Sequence, residues 1–162
     1  MKAYLDIETS FEGAITVVGL YAADRGLVQL IGTKISDVAV RQALEGVETI
    51  CTYNGNRFDL PVIRRRLGLD LREVCQSHDL MYTCWRYGLY GGLKRVEEQL
   101  SISRRSKGVD GMEAMRLWSR YDDDGDEEAL QTLLTYNSED VLNLPVLESR
   151  LVELESTHAR CD

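Results

Sequence analysis

The sequence predicts a mixed α/β fold: a five-stranded sheet, with an antiparallel meander plus two parallel strands, and helices on both faces. Three observations predict it. Three β-branched or alternating segments joined by short turns open the chain, which is typical of a meander. A helix–strand–helix–strand pattern follows and adds two strands parallel to the first. The remainder is helical in pattern, and we expect a single domain over residues 1–162.

The first predicted strand, residues 2–8, contains two candidate metal-binding acids. Asp6 and Glu8 stand two residues apart in an otherwise largely apolar segment. Because residues i and i+2 of a strand project from the same face, the two carboxylates should lie side by side. Like charges on a central strand are costly unless a cation neutralises them, and oxygen ligands suit Mg²⁺ or Mn²⁺. The alternative is an edge strand whose polar face meets water.

The next elements follow from turn, cap and periodicity signals. Further strands are predicted at residues 14–22, 27–32, 48–53 and 74–78. Helices are predicted from Ser36 or Asp37 to about residue 46, and at 58–67, 80–88, 93–100 and 111–121. An acidic turn at 122–126 leads into a long helical run that keeps a 3.6-residue period. Pro145 falls inside that run, so we predict a kink or a break just before it.

Composition limits the function classes. A net charge of −8 argues against a non-specific nucleic-acid binder, but not against an enzyme that acts on nucleic acid through metal ions. Four cysteines form no Cys-x-x-Cys pair and only two histidines are present, so a zinc site of the usual spacing is excluded. With no signal-peptide pattern and no segment of membrane-spanning length, we expect a cytoplasmic protein with reduced thiols and no membrane partner.

Two later motifs supply further acidic side chains. Asn54-x-x-x-Phe58-Asp59 follows the fourth strand and opens a helix, so Asp59 should lie near the end of the first strand. Tyr136 and Asp140 are four residues apart on the last helix and share one face. Taken singly, each has an ordinary structural interpretation: a loop Asn and a first-turn Asp for one, a boundary Tyr and a solvated Asp for the other.

Together, in this order, Asp6-x-Glu8, Asn54-x-x-x-Phe58-Asp59 and Tyr136-x-x-x-Asp140 resemble the motifs of the DEDD exonuclease superfamily. The tyrosine is the mark of its DEDDy branch, which includes the proofreading domains of DNA polymerases. Residues 91–97, Trp118, Tyr121 and residues 136–144 look more like the standalone ribonuclease H-like domains of the YprB type. The resemblance covers nearly the whole chain and implies a ribonuclease H-like fold.

The resemblance also implies an activity: 3′–5′ exonuclease cleavage of single-stranded DNA or RNA, releasing nucleoside monophosphates. It assigns two Mg²⁺ or Mn²⁺ ions to four carboxylates, namely Asp6, Glu8, Asp59 and Asp140. Such a pair of ions would clamp the attacking and leaving oxygens. Tyr136 would orient the attacking water rather than act as the base, because a phenol titrates near about pH 10.

Substrate contacts are expected around these carboxylates. By resemblance, Thr9, Asn54 and Phe58 would contact the terminal nucleotide, although Ser10 stands where many family members have Gly. The basic residues Arg104, Arg105 and Lys107 are either phosphate contacts or solvated charges. Asp79 is expected to cap a helix rather than to serve as a fifth acidic ligand.

Other functions fit the same residues. An endonuclease that is structure-selective or cleaves hybrids would share the fold and the motif order. A non-catalytic nucleic-acid-binding module, or an acidic interaction domain, would leave the carboxylate set without a role. The sequence does not identify a protein partner.

Overall fold

The computed structural model describes residues 1–106 and 108–158. Its single sheet has the order β3-β2-β1-β4-β5, with antiparallel pairs β1–β2 and β2–β3 and parallel pairs β1–β4 and β4–β5. The five strands are β1 (Lys2–Thr9), β2 (Ile15–Ala22), β3 (Gly26–Ile31), β4 (Thr49–Thr52) and β5 (Gln76–Asp79). The predicted meander and the two added parallel strands are confirmed.

Six α-helices are described, and side-chain caps begin four of them. Ser36 accepts from the Ala39 amide at 3.1 Å, and Asp79, Asp110 and Asp126 cap later helices in the same way. The helices are α1 (Asp37–Ala43), α2 (Asp59–Leu67), α3 (Leu80–Arg86), α4 (Leu93–Gln99), α5 (Gly111–Asp124) and α6 (Glu127–His158). Short 3₁₀ turns lie at Gly32–Lys34 and Leu71–Glu73.

The long helix α6 continues through Pro145, so the predicted break just before that residue is wrong, while the alternative of a kink stays a prediction. A proline inside a helix costs about 3 kcal/mol through the lost hydrogen bond and a clash. Three leucines around it, Leu144, Leu147 and Leu151, are buried against Leu80 of α3 and its neighbours. Burying each contributes about 1.5–3 kcal/mol, so packing outweighs the proline.

The acidic segment between α5 and α6 is mostly helical rather than a turn. Helix α5 continues through its aspartates to Asp124, and Gly125 ends it at φ +70°. Glycine adopts this left-handed conformation without steric cost, which explains why the helix stops there. Arg120 and Asp126 then pair across the junction at 2.5 Å.

β1 lies in the middle of the sheet and is covered on both faces. One face buries Ala3, Leu5 and Ile7 against α1 and α2. The other face carries Tyr4, Asp6 and Glu8 toward α6. The edge-strand interpretation of the acidic pair is therefore wrong. No helix in the described ranges is both long and apolar enough to cross a bilayer.

Candidate active site

Three carboxylates converge where α6 crosses β1. Asp6 and Glu8 project from the same face of the strand, and Asp140 descends from the helix. One oxygen from each of the three lies within 4.8 Å of the other two. Asp140, which follows Glu8 by 132 residues in the sequence, is thus brought into one cluster with Asp6 and Glu8 at the centre of the sheet.

Asp59 lies beside this cluster, at the start of α2. Its Oδ1 accepts the backbone N–H of Ile7 at 3.0 Å, and Ile7 stands between Asp6 and Glu8. This bond attaches the first turn of α2 to the central strand, as the position of Asp59 after the fourth strand predicted. Asp59 is 3% exposed and is not among the three carboxylates within 4.8 Å of one another.

A buried asparagine, which sequence reasoning missed, orients the cluster. Asn137 donates from Nδ2 to Asp6 Oδ2 at 3.1 Å and to the Asp6 carbonyl at 3.3 Å. Its own Oδ1 accepts from Gln29 Nε2 at 3.0 Å, which fixes which end of the amide faces Asp6. The one available signal was its place between Tyr136 and Asp140, which does not separate a structural Asn from an exposed one.

Burial and mutual repulsion raise the pKa values of these acids. Burial, followed by the charges of Asp140, Glu8 and Asp59, holds the pKa of Asp6 well above its ordinary range. Burial and then the nearby Asp140 raise the pKa of Glu8 to about 8. The pKa of Asp59 rises to about 7, chiefly through burial and against the opposing Ile7 hydrogen bond. Such a set of groups favours protons or a cation.

One positive charge already enters the cluster. Arg104 donates through Nη2 to Asp140 and through Nη1 to Glu97 Oε2 at 2.8 Å. Its side chain is 10% exposed, and Glu97 is fully buried. Glu97 also accepts from Asn143 at 3.0 Å, which ties α4 to α6. The interpretation of Arg104 as a solvated charge is therefore wrong, and Glu97 is a buried partner that the sequence did not identify.

Tyr136 lies one helical turn before Asp140 and is 7% exposed. Burial, and then the negative charge of Asp140, raise the pKa of its hydroxyl above the ordinary value. Burial raises the pKa of Asp140, and Arg104, Lys94 and a hydrogen bond with Tyr136 oppose this rise, so the hydroxyl reaches the cluster. Lys94 Nζ lies 4.5 Å from the centre of the Tyr136 ring. Tyr136 is therefore a protonated donor near neutral pH.

The family assignment agrees with this geometry. The family model of the ribonuclease H (RNase_H) superfamily matches residues 3–152. The chain belongs to the ribonuclease H superfamily.

A solved structure shares the superfamily fold over most of the chain. It is the family B DNA polymerase from the hyperthermophilic archaeon Pyrobaculum calidifontis, with a TM-score of 0.72 and 18% sequence identity. The match covers 93% of this chain and 24% of the polymerase chain, so this chain spans about a quarter of the polymerase's length. At that identity the likeness shows the fold alone. No curated protein matches the sequence significantly.

On this ribonuclease H-like scaffold, the predicted substrate-binding residues differ in their exposure and in their hydrogen bonds. Thr9 follows an irregularity in the β1–β2 pairing, and Phe58 is 43% exposed. Asn54 has φ +62°, and its backbone N–H donates to Asp79 Oδ1 at 2.8 Å. Arg105 is exposed and bonds Glu139 through its backbone amide at 2.6 Å. Lys107 lies outside the described residues.

Asp79 is held as a cap, as predicted. Its carboxylate accepts amide hydrogens from Asn54 and Met81 on one oxygen and from Asn56 on the other. Both oxygens are therefore occupied by backbone donors. This arrangement positions the loop that precedes Asp59, and so fixes the start of α2 against β1.

Proposed function

We propose that this protein is a divalent-metal-dependent 3′–5′ exonuclease that hydrolyses phosphodiester bonds at the 3′ end of single-stranded nucleic acid. The observation that supports it most is the convergence of Asp6, Glu8 and Asp140, with Asp59 beside them, on one face of the central strand. Membership of the ribonuclease H superfamily supports the nuclease class. The tyrosine-marked motif order and the fold shared with a DNA polymerase favour the exonuclease branch.

The donor set fits a hard divalent cation. All the clustered ligand atoms are carboxylate oxygens, which Mg²⁺ and Mn²⁺ prefer. Glu8 Oε1 is buried and has no hydrogen-bond partner among the described residues, so one ligand atom is available without breaking a bond. Asp6, Glu8 and Asp140 would hold one ion, and Asp59 with Asp6 a second. Bound ions of this kind neutralise the acids and polarise the phosphate under attack.

The chain's own groups perform the remaining tasks. Tyr136 keeps its proton, so its hydroxyl can donate or accept a hydrogen bond and orient the attacking water. Arg104 stabilises the position of Asp140, because its guanidinium is fixed between Asp140 and Glu97. The buried Asn137 holds Asp6 in the rotamer that faces Asp140. None of these residues needs to act as the general base.

A groove next to the cluster is suited to a short stretch of nucleic-acid backbone. It has a volume of about 330 Å³ and lies between α4 and the segment that leads into α5, with Lys94, Arg104 and Ser106 in its lining. Lys94 and Arg104 offset Glu97 and Glu98 in this lining, on a protein of net charge −8, so the groove offers two cationic groups but no extended basic surface. We therefore propose that affinity comes from a few phosphates close to the cleaved bond rather than from a long basic surface.

The test is a degradation assay on DNA and RNA carrying a label at the 3′ or the 5′ end, with Mg²⁺ or Mn²⁺. We expect mononucleotides to be released from 3′ ends by the unmodified protein and by Asp24→Asn, an exposed control, but not by Asp6→Asn. Cleavage of a closed circular substrate would replace the proposal with an endonuclease. Failure to release nucleotides with either metal would leave a binding module.

A further inference from the structure

A second group of potential ligands lies on the same face of the sheet, toward the start of β1. It consists of Cys51 in β4, His78 in β5 and Glu148 in α6. Glu148 follows Asp140 by eight residues, which is about 12 Å along the helix, so this group is separate from the carboxylate cluster. We propose that it is a zinc site, independent of the metal requirement of the nuclease centre.

Strand register brings the first two side chains together. Tyr4, Cys51 and His78 are direct partners across the parallel strands β1, β4 and β5. Paired residues on neighbouring strands project from the same face, about 4.8 Å apart. Glu148 approaches that face from α6, because the helix runs antiparallel to β1 and its later turns cross the start of the strand.

The spacing of the three ligand atoms matches zinc. Cys51 Sγ lies 3.8 Å from His78 Nδ1 and 3.9 Å from Glu148 Oε1, and Nδ1 lies 3.5 Å from Oε1. Tetrahedral zinc with bonds of about 2.3 Å to sulfur and about 2.1 Å to nitrogen and oxygen separates such atoms by about 3.4–3.6 Å. Closing the site therefore requires movements of a few tenths of an ångström, which rotamer adjustments provide.

The donor types select the ion. A thiolate, an imidazole and one carboxylate suit Zn²⁺, whereas Mg²⁺ requires an octahedron of oxygen ligands. Three protein ligands leave a fourth position for water, as in open zinc sites. His78 is half-exposed and gives the ion a way in, although Cys51 itself is fully buried. The thiol proton is released to solvent when the ion binds.

Two neighbours orient Glu148 and balance its charge. The Tyr4 hydroxyl donates to Oε2 at 2.6 Å, which leaves Oε1 directed toward Cys51 and His78. Lys2 Nζ lies 2.7 Å from this same Oε1. The Lys2 side chain is 44% exposed, so it can move into solvent when a divalent ion takes its place. Lys2 is therefore a competitor of the ion, and its removal should strengthen binding.

The experiment titrates the 162-residue chain with Co²⁺ as a spectroscopic probe and then with Zn²⁺ against a chromophoric chelator, in excess Mg²⁺. We expect a thiolate-to-cobalt charge-transfer band that zinc abolishes. Cys51→Ser should remove the band, and His78→Gln and Glu148→Gln should weaken zinc binding at least tenfold. Cys75→Ser is the matched control, because Cys75 is buried, bonds the Val47 carbonyl and lies outside the group.

Lys2→Met distinguishes a metal site from a polar network. If the ion displaces Lys2, this variant should bind zinc about two- to fivefold more tightly, the factor expected for a lost exposed ion pair. Circular dichroism of each metal-free variant checks that it is folded, and the half-exposed His78→Gln remains informative if Cys51→Ser unfolds. A missing band in the unmodified protein, or a band that survives Cys51→Ser, would overturn the proposal. Mg²⁺-dependent nuclease turnover should be unchanged in His78→Gln.

Discussion

Arg104 donates a hydrogen bond to Asp140, the one carboxylate of the central cluster that comes from α6. The same guanidinium bonds Glu97, which is fully buried. In the absence of a divalent ion, the chain therefore supplies its own partial countercharge to the acids. This charge comes from a segment, between α4 and α5, that is remote in sequence from β1.

Removing this countercharge should destabilise the metal-free protein. We expect Arg104→Met to lower the free energy of unfolding by about 3–5 kcal/mol, the typical cost of leaving a buried ion unpaired. Mg²⁺ should recover part of the loss, because the ion compensates Asp140 but does not reach Glu97. Urea denaturation with a chelator and with Mg²⁺ measures both effects. Arg105→Met is the control, since Arg105 is exposed and contacts Glu139 through its backbone; equal losses in both variants would contradict the role of Arg104.

The raised pKa values of the buried acids also predict that the stability of the metal-free protein depends on pH. Glu8 and Asp59 have pKa values of about 8 and about 7 in the folded chain, against 4.5 and 3.8 as ordinary values. Between these limits the folded state binds more protons than the unfolded state, so the free energy of unfolding falls as pH rises. In chelator, thermal melting should therefore move to lower temperature from about pH 5 to about pH 8.

Saturating Mg²⁺ should flatten or reverse this trend, because a bound ion takes the place of the protons. Glu8→Gln removes one of the titrating groups, so the melting temperature measured in chelator should fall less steeply with pH. The interpretation fails if metal-free stability increases over that pH range, since raised acid pKa values allow only a decrease.

The local pattern was sufficient to predict the sheet and the acidic pair. The two-residue spacing of Asp6 and Glu8 determines that they share a face, and Ser36 and Asp79 cap helices through bonds that span only two or three residues. The predicted break at Pro145 was wrong because the helix there is stabilised by leucines buried against α3, which is a tertiary effect.

Long-range partners were beyond sequence reasoning for the same physical reason. Asn137 meets Asp6 across 131 positions, and Arg104 meets Asp140 across 36. The Cys51–His78 pair depends on the register of two parallel strands, which no local spacing specifies. A search for zinc ligands by sequence spacing therefore could not find that pair.

The hydroxyl of Tyr136 should matter for turnover and not for metal affinity. Tyr136→Phe keeps the ring and its packing but removes the donor that we assign to the attacking water. We expect kcat to fall by up to about 100-fold. Calorimetric Mn²⁺ titration should give the same affinity as the unmodified protein. Tyr121→Phe, whose ring packs on Trp118 away from the cluster, is the control. Lost metal binding in Tyr136→Phe would reject the water-orienting role.

Gly19 should be as critical as the residues that bear the chemistry. It pairs with Asp6 on the neighbouring strand, and a Cβ built there would come within 2.3 Å of Asn137 Oδ1 and 2.7 Å of Val141 Cγ2. Because real Cβ atoms essentially never approach so closely, Gly19→Ala requires the Asn137 and Val141 side chains to shift, either by rotation or together with α6. Either shift would move Asn137 from Asp6, and a shift of α6 would also move Asp140 from Glu8.

We therefore expect Gly19→Ala to lower stability by about 1–3 kcal/mol, the usual cost of overpacking, and to weaken Mn²⁺ binding at the same time. Gly111→Ala is the matched control, because a Cβ there meets nothing within 4 Å and Gly111 begins α5. Paired chemical denaturation and Mn²⁺ calorimetry would measure both quantities for each variant. If Gly19→Ala lost stability but kept its metal affinity, the close approach of α6 to β2 would serve packing alone, and Asn137 would not be required to position Asp6.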